Sequence, residues 1–309
     1  VRSLGDVRVL CAFSGGVDSL VAATLAQRIL GDRLHCFFVD HGLLRPQDYQ
    51  HIQTLKEETN LNIETIEAKD LFLGQLKGVD DPEKKRKIIG QTFIKVFENK
   101  VHEYESERSI EFTHLLQGTL YPDVIESISP HKKGGKSATI KSHHNVGGLP
   151  ERMKLKRLEP LRMLFKDEVR RLGLELDLYH WVFRHPFPGP GIGIRILGEV
   201  NEKSIYQVGQ SDQILFEELH SFHLYQAIWQ AFTVLLPIKT VGIKGDARAY
   251  EEVICVRLVN SSDGMTATWS DVPRSFLERL SGRITNEVKG ITRVVYDITS
   301  KPPGTIEWE

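Results

Sequence analysis

The segment SGGVDS, residues 14–19, places two hydroxyl groups, two glycines and one carboxylate within a short stretch of chain. The paired glycines allow the backbone to turn tightly, so that amide groups and the start of a following helix point toward an anion. Ser14 and Ser19 add hydroxyl donors. Asp18 would repel phosphate groups unless a cation bridged them, and its presence therefore predicts Mg²⁺. These residue types predict a phosphate-binding loop that works with magnesium.

The loop has no lysine of the kind with which the common nucleoside-triphosphate loop reaches the β- and γ-phosphates. A loop of this composition is better suited to holding those two phosphates as a leaving group. Attack at the α-phosphorus would then release pyrophosphate and transfer AMP, so the expected chemistry is adenylylation. The alternative interpretation is a tight strand-to-helix turn in which the serines and the aspartate are incidental.

The segments around the loop alternate between strand-like and helix-like patterns. Strands are predicted over 7–13, 33–40, 61–68 and 112–119, and helices over 19–30 and 46–60. This order predicts a parallel sheet covered on both faces by helices. Ligands of such sheets bind at the carboxyl ends of the strands. Three polar segments fall at those ends, at residues 14–19, 39–45 and 117–127.

The middle of the chain is predicted to contain two helices, a long loop and a hinge. Residues 80–104, which include the basic run Lys84–Lys87, suit a helix. Residues 129–150 have the composition of a mobile lid or binding loop. Residues 159–178 suit an amphipathic helix that ends at Gly173. The segment 184–200, rich in proline and glycine, suits an inter-domain hinge.

The C-terminal part has a different pattern, in which strand-like runs at 240–260 and 291–299 flank a helix candidate at 273–288. A chain of 309 residues is also long for a single hydrophobic core. We therefore predict an α/β protein, with a parallel-sheet, Rossmann-like nucleotide-binding domain at 1–184. A smaller α+β domain at 185–309 follows it.

Composition excludes several classes of protein. The net charge of −1 argues against extensive nucleic-acid binding. No apolar run approaches the roughly 20 residues that span a bilayer, and no secretory signal is evident. The three cysteines lie in apolar runs without CxxC spacing, which predicts buried strand residues and a cytoplasmic location. Because residue 1 is valine, the sequence is compatible with a trimmed piece of a longer chain.

SGGVDS resembles the signature of the pyrophosphatase-loop ATP enzymes, and further blocks along the chain are similar to the GMP synthase family. These blocks follow one another in the family's order from end to end of the chain. They are VDHGLLR, DPEKKRKIIG, QGTLYPDVIES, IKSHHNVGGLP, EPLRMLFKDEVRRLG, RHPFPGPGIGIRILGEV, GDARAY and the terminal KPPGTIEWE. The resemblance implies an adenine-nucleotide α-hydrolase-like domain followed by a dimerisation domain.

The resemblance also implies a reaction. ATP would activate the C2 oxygen of xanthosine monophosphate (XMP) as an adenylate, and ammonia would displace AMP to give GMP. In full-length members a glutaminase domain supplies the ammonia, and the sequence shows no cysteine in the glycine-rich setting that such a domain requires. A separate glutaminase subunit and a removed domain are both compatible with this. The second domain implies a homodimer.

Site residues follow from the resemblance position by position. Those implied for ATP and pyrophosphate are Ser14, Gly15, Gly16, Val17, Asp18, Ser19, Val39 and Gly118, with Asp18 and Asp123 as magnesium ligands. Asp18, Lys141 and Lys166 are the implied catalytic residues. The residues implied for XMP are Arg86, Gln230, Asp246, Arg248, Lys301 and Glu307. Arginine and lysine suit the phosphate of a nucleotide, and a carboxylate suits its N–H or ribose groups.

Simpler interpretations exist for several of these residues. Asp123 follows a proline and suits a turn, and lysines on a loop or helix surface are usually solvated. His143 and His144 point in different directions and have no third ligand at metal spacing, so a loop role is favoured over zinc. For the whole chain, the alternatives are another adenylylating enzyme, such as an NAD synthetase or a tRNA thiolase, and a non-catalytic nucleotide-binding module.

Overall fold

The computed structural model describes residues 6–127, 154–262 and 264–309. The chain forms two compact units. The first consists of Val1–Asp40, His51–Ala68 and Gly90–Arg184, and the second of His41–Gln50, Lys69–Ile89 and His185–Glu309. A division into domains at residues 184 and 185 stays a prediction.

The first unit contains a five-stranded sheet whose strands are short, and burial is greatest in β2 and least in the edge strand β5. Its strands are β1 (Arg8–Ala12), β2 (Leu34–Asp40), β3 (Ile63–Glu67), β4 (Phe112–Leu116) and β5 (Lys156–Leu158). The described helices of this part of the chain include α1 (Val17–Leu30), α2 (Pro46–Glu58), α4 (Pro82–Arg108), α5 (Tyr121–Ser127) and α6 (Lys166–Glu175). The helices α2 and α4 each contribute residues to both units.

All pairings in this sheet are parallel, and the strand order is β3-β2-β1-β4-β5. The predicted parallel sheet is thus confirmed. β1 lies between β2 and β4, so that the chain proceeds from β1 to one side of the sheet and then to the other. Such a reversal is the topological switch point at which α/β sheets bind ligands. The loop at 14–19 and the segment after β4 both begin at this point.

The three cysteines are buried strand residues, as predicted. Cys11 and Cys36 are register partners on β1 and β2, and both are buried. Cys255 is also a buried, free thiol, and burial raises its pKa to about 12. These side chains act as small apolar core residues.

The helix predicted over 159–178 is wrong at both ends. It begins at Lys166 because the Phe165 N–H donates to the Glu168 carboxylate over 2.9 Å, an N-terminal capping contact. Gly173 lies inside the helix and does not end it. A Cβ at this glycine would lie 2.3 Å from a Val182 methyl carbon. The glycine therefore serves close packing.

The helix predicted over 80–104 extends from Pro82 to Arg108. Asp81 caps it by accepting the Lys84 N–H over 2.8 Å. The pattern at 80–104 located this helix, whereas α5 and β5 lie in segments for which no element was predicted.

The second unit is an α+β structure, as predicted. Its elements include α3 (Lys69–Leu76), α7 (Glu202–Ser221), β6 (Gln230–Lys244), β7 (Ala247–Asn260), β8 (Thr268–Trp269), α8 (Arg274–Glu287) and β9 (Ile291–Tyr296). β6 and β7 form a long antiparallel hairpin. β8 pairs antiparallel to β7, and β9 pairs parallel to β7. The apolar core of the sheet includes Phe232, Val234 and Cys255.

The proline- and glycine-rich segment predicted as a hinge is held within the second unit by backbone contacts. The Ile192 N–H donates to the Leu43 carbonyl over 2.9 Å. Gly191 has a φ of +64°, and a Cβ there would lie 2.1 Å from the Leu43 carbonyl oxygen. Glycine is therefore required at this position. The contact fixes residues 41–50 to the segment that precedes α7.

Candidate nucleotide site

The phosphate-type loop follows β1 directly and is shaped by its own hydroxyl groups. The hydroxyl oxygens of Ser14 and Ser19 lie 2.9 Å apart. Ser14 also accepts the Gly16 N–H over 3.3 Å, and Ser19 donates to the Gly16 carbonyl over 2.9 Å. The two serines thus bracket the turn, with Ser14 and Gly16 exposed to solvent.

Gly15 holds the loop in a conformation that other residues rarely adopt. Its φ is +72°, and a Cβ there would lie 2.5 Å from the Ile52 side chain. The His51 Nε2–H donates to the Gly15 carbonyl over 2.9 Å, and the His51 ring lies 4.8 Å from the Trp181 ring, centroid to centroid. His51 was not predicted, because a single histidine on a helix carries no motif.

The helix α1 begins immediately after the loop and supplies an anion-binding end. Its N-cap, Gly16, has extended geometry, and no side chain caps the helix. The first-turn N–H groups of an α-helix have no partner within the helix, and the helix dipole is positive at this end. The arrangement suits phosphate oxygens, and Asp18 lies in the same turn.

The carboxyl end of β4 passes close to this helix end. A Cβ at Gly118 would lie 2.8 Å from the Asp18 carbonyl carbon and 3.0 Å from the Ser19 nitrogen. Glycine at position 118 therefore permits the segment after β4 to approach the start of α1. The structure thus brings Gly118 to the loop, as the switch-point topology requires.

The structure also brings together two residues that were predicted separately. Lys166 Nζ lies 2.7 Å and 2.8 Å from the two carboxylate oxygens of Asp18. The Lys166 side chain is 45% exposed and that of Asp18 is 32% exposed. A pair this accessible contributes little to stability. Its place at the loop is consistent with a role in binding charge.

Asp123 lies at the start of α5, where its Oδ2 accepts the Leu120 N–H over 3.0 Å. Among the described residues, no cluster of three or more His, Cys, Asp or Glu side chains could hold a metal ion. Val39 is buried near the end of β2. Lys141, His143 and His144 lie outside the described residues.

The residues predicted for XMP fall into two groups within the second unit. Gln230 and Glu307 are in direct contact, because the Gln230 amide donates to Glu307 Oε1 over 2.8 Å. Arg86 donates to the backbone oxygen of Glu309. Lys301 pairs with Ala267, the residue before β8. β8 and Gln230 both pair with the last residues of β7. These residues belong to the C-terminal segment or face it.

The second group consists of Asp246, in the exposed turn between β6 and β7, and Arg248, which is exposed at the start of β7. Gln230 begins β6 and the turn follows its last residue, Lys244. The two groups are therefore separated by the length of the strand, which at ~3.3 Å per residue is about 45 Å. The structure does not bring Asp246 and Arg248 of one chain to Gln230 and Glu307 of the same chain.

A buried charge network lies behind Glu307, and sequence analysis missed it. Arg195 is fully buried and donates to both Glu307 oxygens, over 2.9 Å and 3.1 Å. It also donates to Asp212 over 3.4 Å, and Arg45 donates to the same Asp212 oxygen over 3.5 Å. Burial raises the pKa of Asp212, while Arg195 and Arg45 oppose that shift. Asp212 thus joins two arginines in the interior.

Comparison with known proteins agrees with this geometry. Residues 8–117 match the phosphoadenosine phosphosulfate reductase domain family, and residues 217–308 match the GMP synthase C terminal domain. A parallel sheet with SGGVDS at its switch point and this domain match define an α/β domain of the ATP-pyrophosphatase class. Over its whole length, the chain is also similar to members of the GMP synthase family.

Three similar proteins are each named GMP synthase [glutamine-hydrolyzing]. The protein of Helicobacter pylori strain J99 is 57% identical over 309 residues, which is 100% of this chain and 60% of the relative. That of Chlorobaculum tepidum is 56% identical over 100% of this chain and 58% of the relative. That of Helicobacter acinonychis is 58% identical over 100% and 60%. The chain therefore spans about three fifths of the length of these relatives.

Proposed function

We propose that the chain is the synthetase part of a GMP synthase. ATP adenylylates the C2 oxygen of XMP with release of pyrophosphate, and ammonia then displaces AMP to give GMP. The name and the identity of the relatives support this assignment over an NAD synthetase, a tRNA thiolase or a non-catalytic module.

The single observation that carries the proposal is the Asp18–Lys166 pair at the uncapped start of α1, beside the loop at 14–19. First-turn amides with Ser14 and Ser19 would hold the β- and γ-phosphates. Lys166 forms an ion pair with Asp18 in the structure, and its ammonium group would turn to stabilise the negative charge of the leaving pyrophosphate. Charge placed where charge develops is electrostatic catalysis. Lys141 is proposed for the same role, and Val39 and Gly118 for the adenine side of the site.

The donor set fits magnesium. Mg²⁺ is usually held by one or two carboxylates together with substrate phosphates and water, and seldom by a cage of protein ligands. Asp18 and Asp123 are two such carboxylates, and Asp123 lies five residues beyond Gly118, which approaches Asp18. When bound, the ion would neutralise the phosphate oxygens. Asp18 and Asp123 would supply the protein's share of its ligands.

For XMP, we propose a site at the C-terminal segment, formed by Arg86, Gln230, Lys301 and Glu307. Asp246 and Arg248 would join it only from another copy of the chain, because the hairpin of the same copy carries them about 45 Å away. Val241, Ile243 and Tyr250 are 50%, 79% and 67% exposed on that hairpin, which supports an interface there. A homodimer would cover these side chains and complete the site.

The remaining partners follow from the relatives. Their name includes glutamine hydrolysis, and the chain spans only part of their length. We propose that a glutaminase domain or subunit supplies ammonia. The three free cysteines support a reducing, cytoplasmic setting. The described helices include none that is long and apolar enough to cross a membrane. No nucleic-acid partner is proposed.

A direct assay tests the proposal. The protein is mixed with ATP, Mg²⁺, XMP and ammonium chloride, and loss of XMP absorbance and formation of AMP are followed. We expect AMP, pyrophosphate and GMP in equal amounts. Formation of ADP in place of AMP would contradict the adenylylation mechanism. Turnover that does not depend on XMP would contradict the assignment of XMP as the substrate and would favour a different adenylylating enzyme.

A further inference from the structure

Three cations of the described residues have no exposed surface at all: Lys85, Arg195 and Arg257. The side chain of each donates hydrogen bonds to residues 299–309, which we call the tail. Arg257 donates to the backbone oxygens of Thr299 and Thr305. Arg195 donates to the Glu307 carboxylate.

Lys85 secures the far end of the tail. Its ammonium group lies 2.6 Å from the Ile196 carbonyl oxygen and 2.6 Å from Glu309 Oε2. The Glu309 side chain is only 8% exposed, so the pair is shielded from water. Burial raises the pKa of Glu309, and Lys85 opposes that shift. Lys84, its neighbour in the same basic run, is exposed.

The tail has little regular secondary structure, and individual contacts hold it. Lys301 forms a bridge with Ala267, and its ammonium group donates to the Gly264 carbonyl over 2.7 Å. The Trp308 indole N–H donates to Asp297 over 2.9 Å, and Ile306 packs on the core around Phe232. A segment with little regular secondary structure depends on specific contacts, because ordering its backbone costs conformational entropy. Buried ion pairs add little net stability but specify one geometry when every charge is satisfied. Arg195 therefore fixes the Glu307 carboxylate directly, and the buried cations hold the backbone or side chains of the tail at Thr299, Thr305, Glu307 and Glu309.

We propose that Lys85 is a positioning residue for XMP binding, which it supports by anchoring the tail through Glu309. The inference rests on the proposed function. Lys85 would not touch XMP. It would hold the segment that presents Lys301 and Glu307, and it places the neighbouring Arg86 against the Glu309 backbone. Removal of the anchor should weaken XMP binding without changing the ATP site.

Three variants separate positioning from mere stability: Lys85→Met, Glu309→Gln and the double variant. Lys85→Met removes the anchor and strands a buried carboxylate, so it should lower stability and raise the KM for XMP about tenfold. Glu309→Gln keeps an acceptor for the ammonium group and should leave this KM within about threefold. The double variant relieves the stranded charge but still lacks the anchor. Its urea midpoint should recover toward that of the parent while its KM for XMP stays raised.

Initial rates of AMP formation at varied XMP and varied ATP provide the readout, and Lys84→Met is the matched control on the exposed neighbour. We expect kcat and the KM for ATP within about twofold of the parent in every variant. A KM for XMP that recovers together with the urea midpoint in the double variant would overturn the inference, as would an unchanged KM in Lys85→Met. If Lys85→Met fails to fold, the double variant is compared with Glu309→Gln, again by the KM for XMP and the urea midpoint. Absence of XMP-dependent AMP formation in the parent protein would instead defeat the proposed function, and this inference with it.

Discussion

The two candidate sites hold their charged groups in opposite ways. At the phosphate loop, Asp18 and Lys166 are about a third and nearly half exposed, and glycines and backbone amides give the site its shape. At the tail, Lys85 and Arg195 are fully buried, and buried ion pairs give the site its shape. The contrast teaches that a charge in the first site should matter for activity alone. A charge in the second should matter for both folding and binding.

The strongest test of the first half of this contrast is Asp18→Asn. We expect AMP and pyrophosphate formation to fall about 10³-fold, because the proposed magnesium ligand and the partner of Lys166 are lost together. The free energy of unfolding should change by less than about 0.5 kcal/mol, because the pair is exposed. Quenched-flow assays and urea unfolding measure the two quantities. Asp32→Asn, an exposed carboxylate beyond the other end of α1, is the control, and it should retain full activity. Normal turnover in Asp18→Asn would mean that the loop does not hold phosphates as proposed.

The corresponding test of the buried half is Asp212→Asn. The substitution leaves Arg45 and Arg195 without their shared carboxylate in the interior, and we expect a loss of about 3 kcal/mol in unfolding free energy. Urea denaturation monitored by circular dichroism provides the measurement. Glu202→Gln, which breaks the exposed Lys69–Glu202 pair, should cost less than about 0.5 kcal/mol. Equal losses of unfolding free energy in the two variants would contradict the proposed difference between exposed and buried charges.

A backbone substitution sharpens the comparison further. Gly118→Ala places a Cβ 2.8 Å from the Asp18 backbone, so the segment after β4 or the start of α1 must shift. A shift of this size at a reacting centre should lower kcat about 10²-fold. Gly74→Ala in α3 meets no atom within 4 Å and is the control. It should stabilise the protein by about 0.5 kcal/mol and leave kcat unchanged. Steady-state kinetics with ATP and XMP distinguish the two, and a fully active Gly118→Ala protein would show that the close approach is dispensable.

The same contrast explains what the sequence could predict. The loop at 14–19, the parallel sheet and the helices at 17–30 and 82–108 follow from local spacing and short motifs, which a single sequence displays. Lys85 differs from Lys84 only through contacts with Ile196 and Glu309, far away in the chain, so its burial has no local signal. His51 contacts Gly15 for the same non-local reason. Gly173 has the composition of a helix stop, but contact with Val182 decides its role.

The smallest expected effect concerns pH and lies in the core of the first unit. Burial lowers the pKa of His35, and Arg8 and Arg108 lower it further. Its ring packs edge-on against Phe112 and Tyr104 at 5.2 Å and 5.5 Å, between centroids, and this burial disfavours the charged form more than Asp32 favours it. The unfolded chain, with a pKa near 6.5, takes up a proton as the pH falls, whereas the folded chain resists it. Stability should therefore decrease below about pH 6.5, by at most about 1.4 kcal/mol per pH unit from this residue.

Urea unfolding at pH 7.5 and pH 5.5 checks this expectation. The parent protein should lose more stability between these values than His35→Gln, which has no proton to bind. His114→Gln is the matched control, because burial also lowers the pKa of His114 but that side chain is only partly buried. Its effect on the pH dependence should be smaller than that of His35→Gln. If both variants lose stability on acidification as steeply as the parent does, another group governs the acid response. The acid dependence of stability would then have to be assigned to a titratable group other than His35.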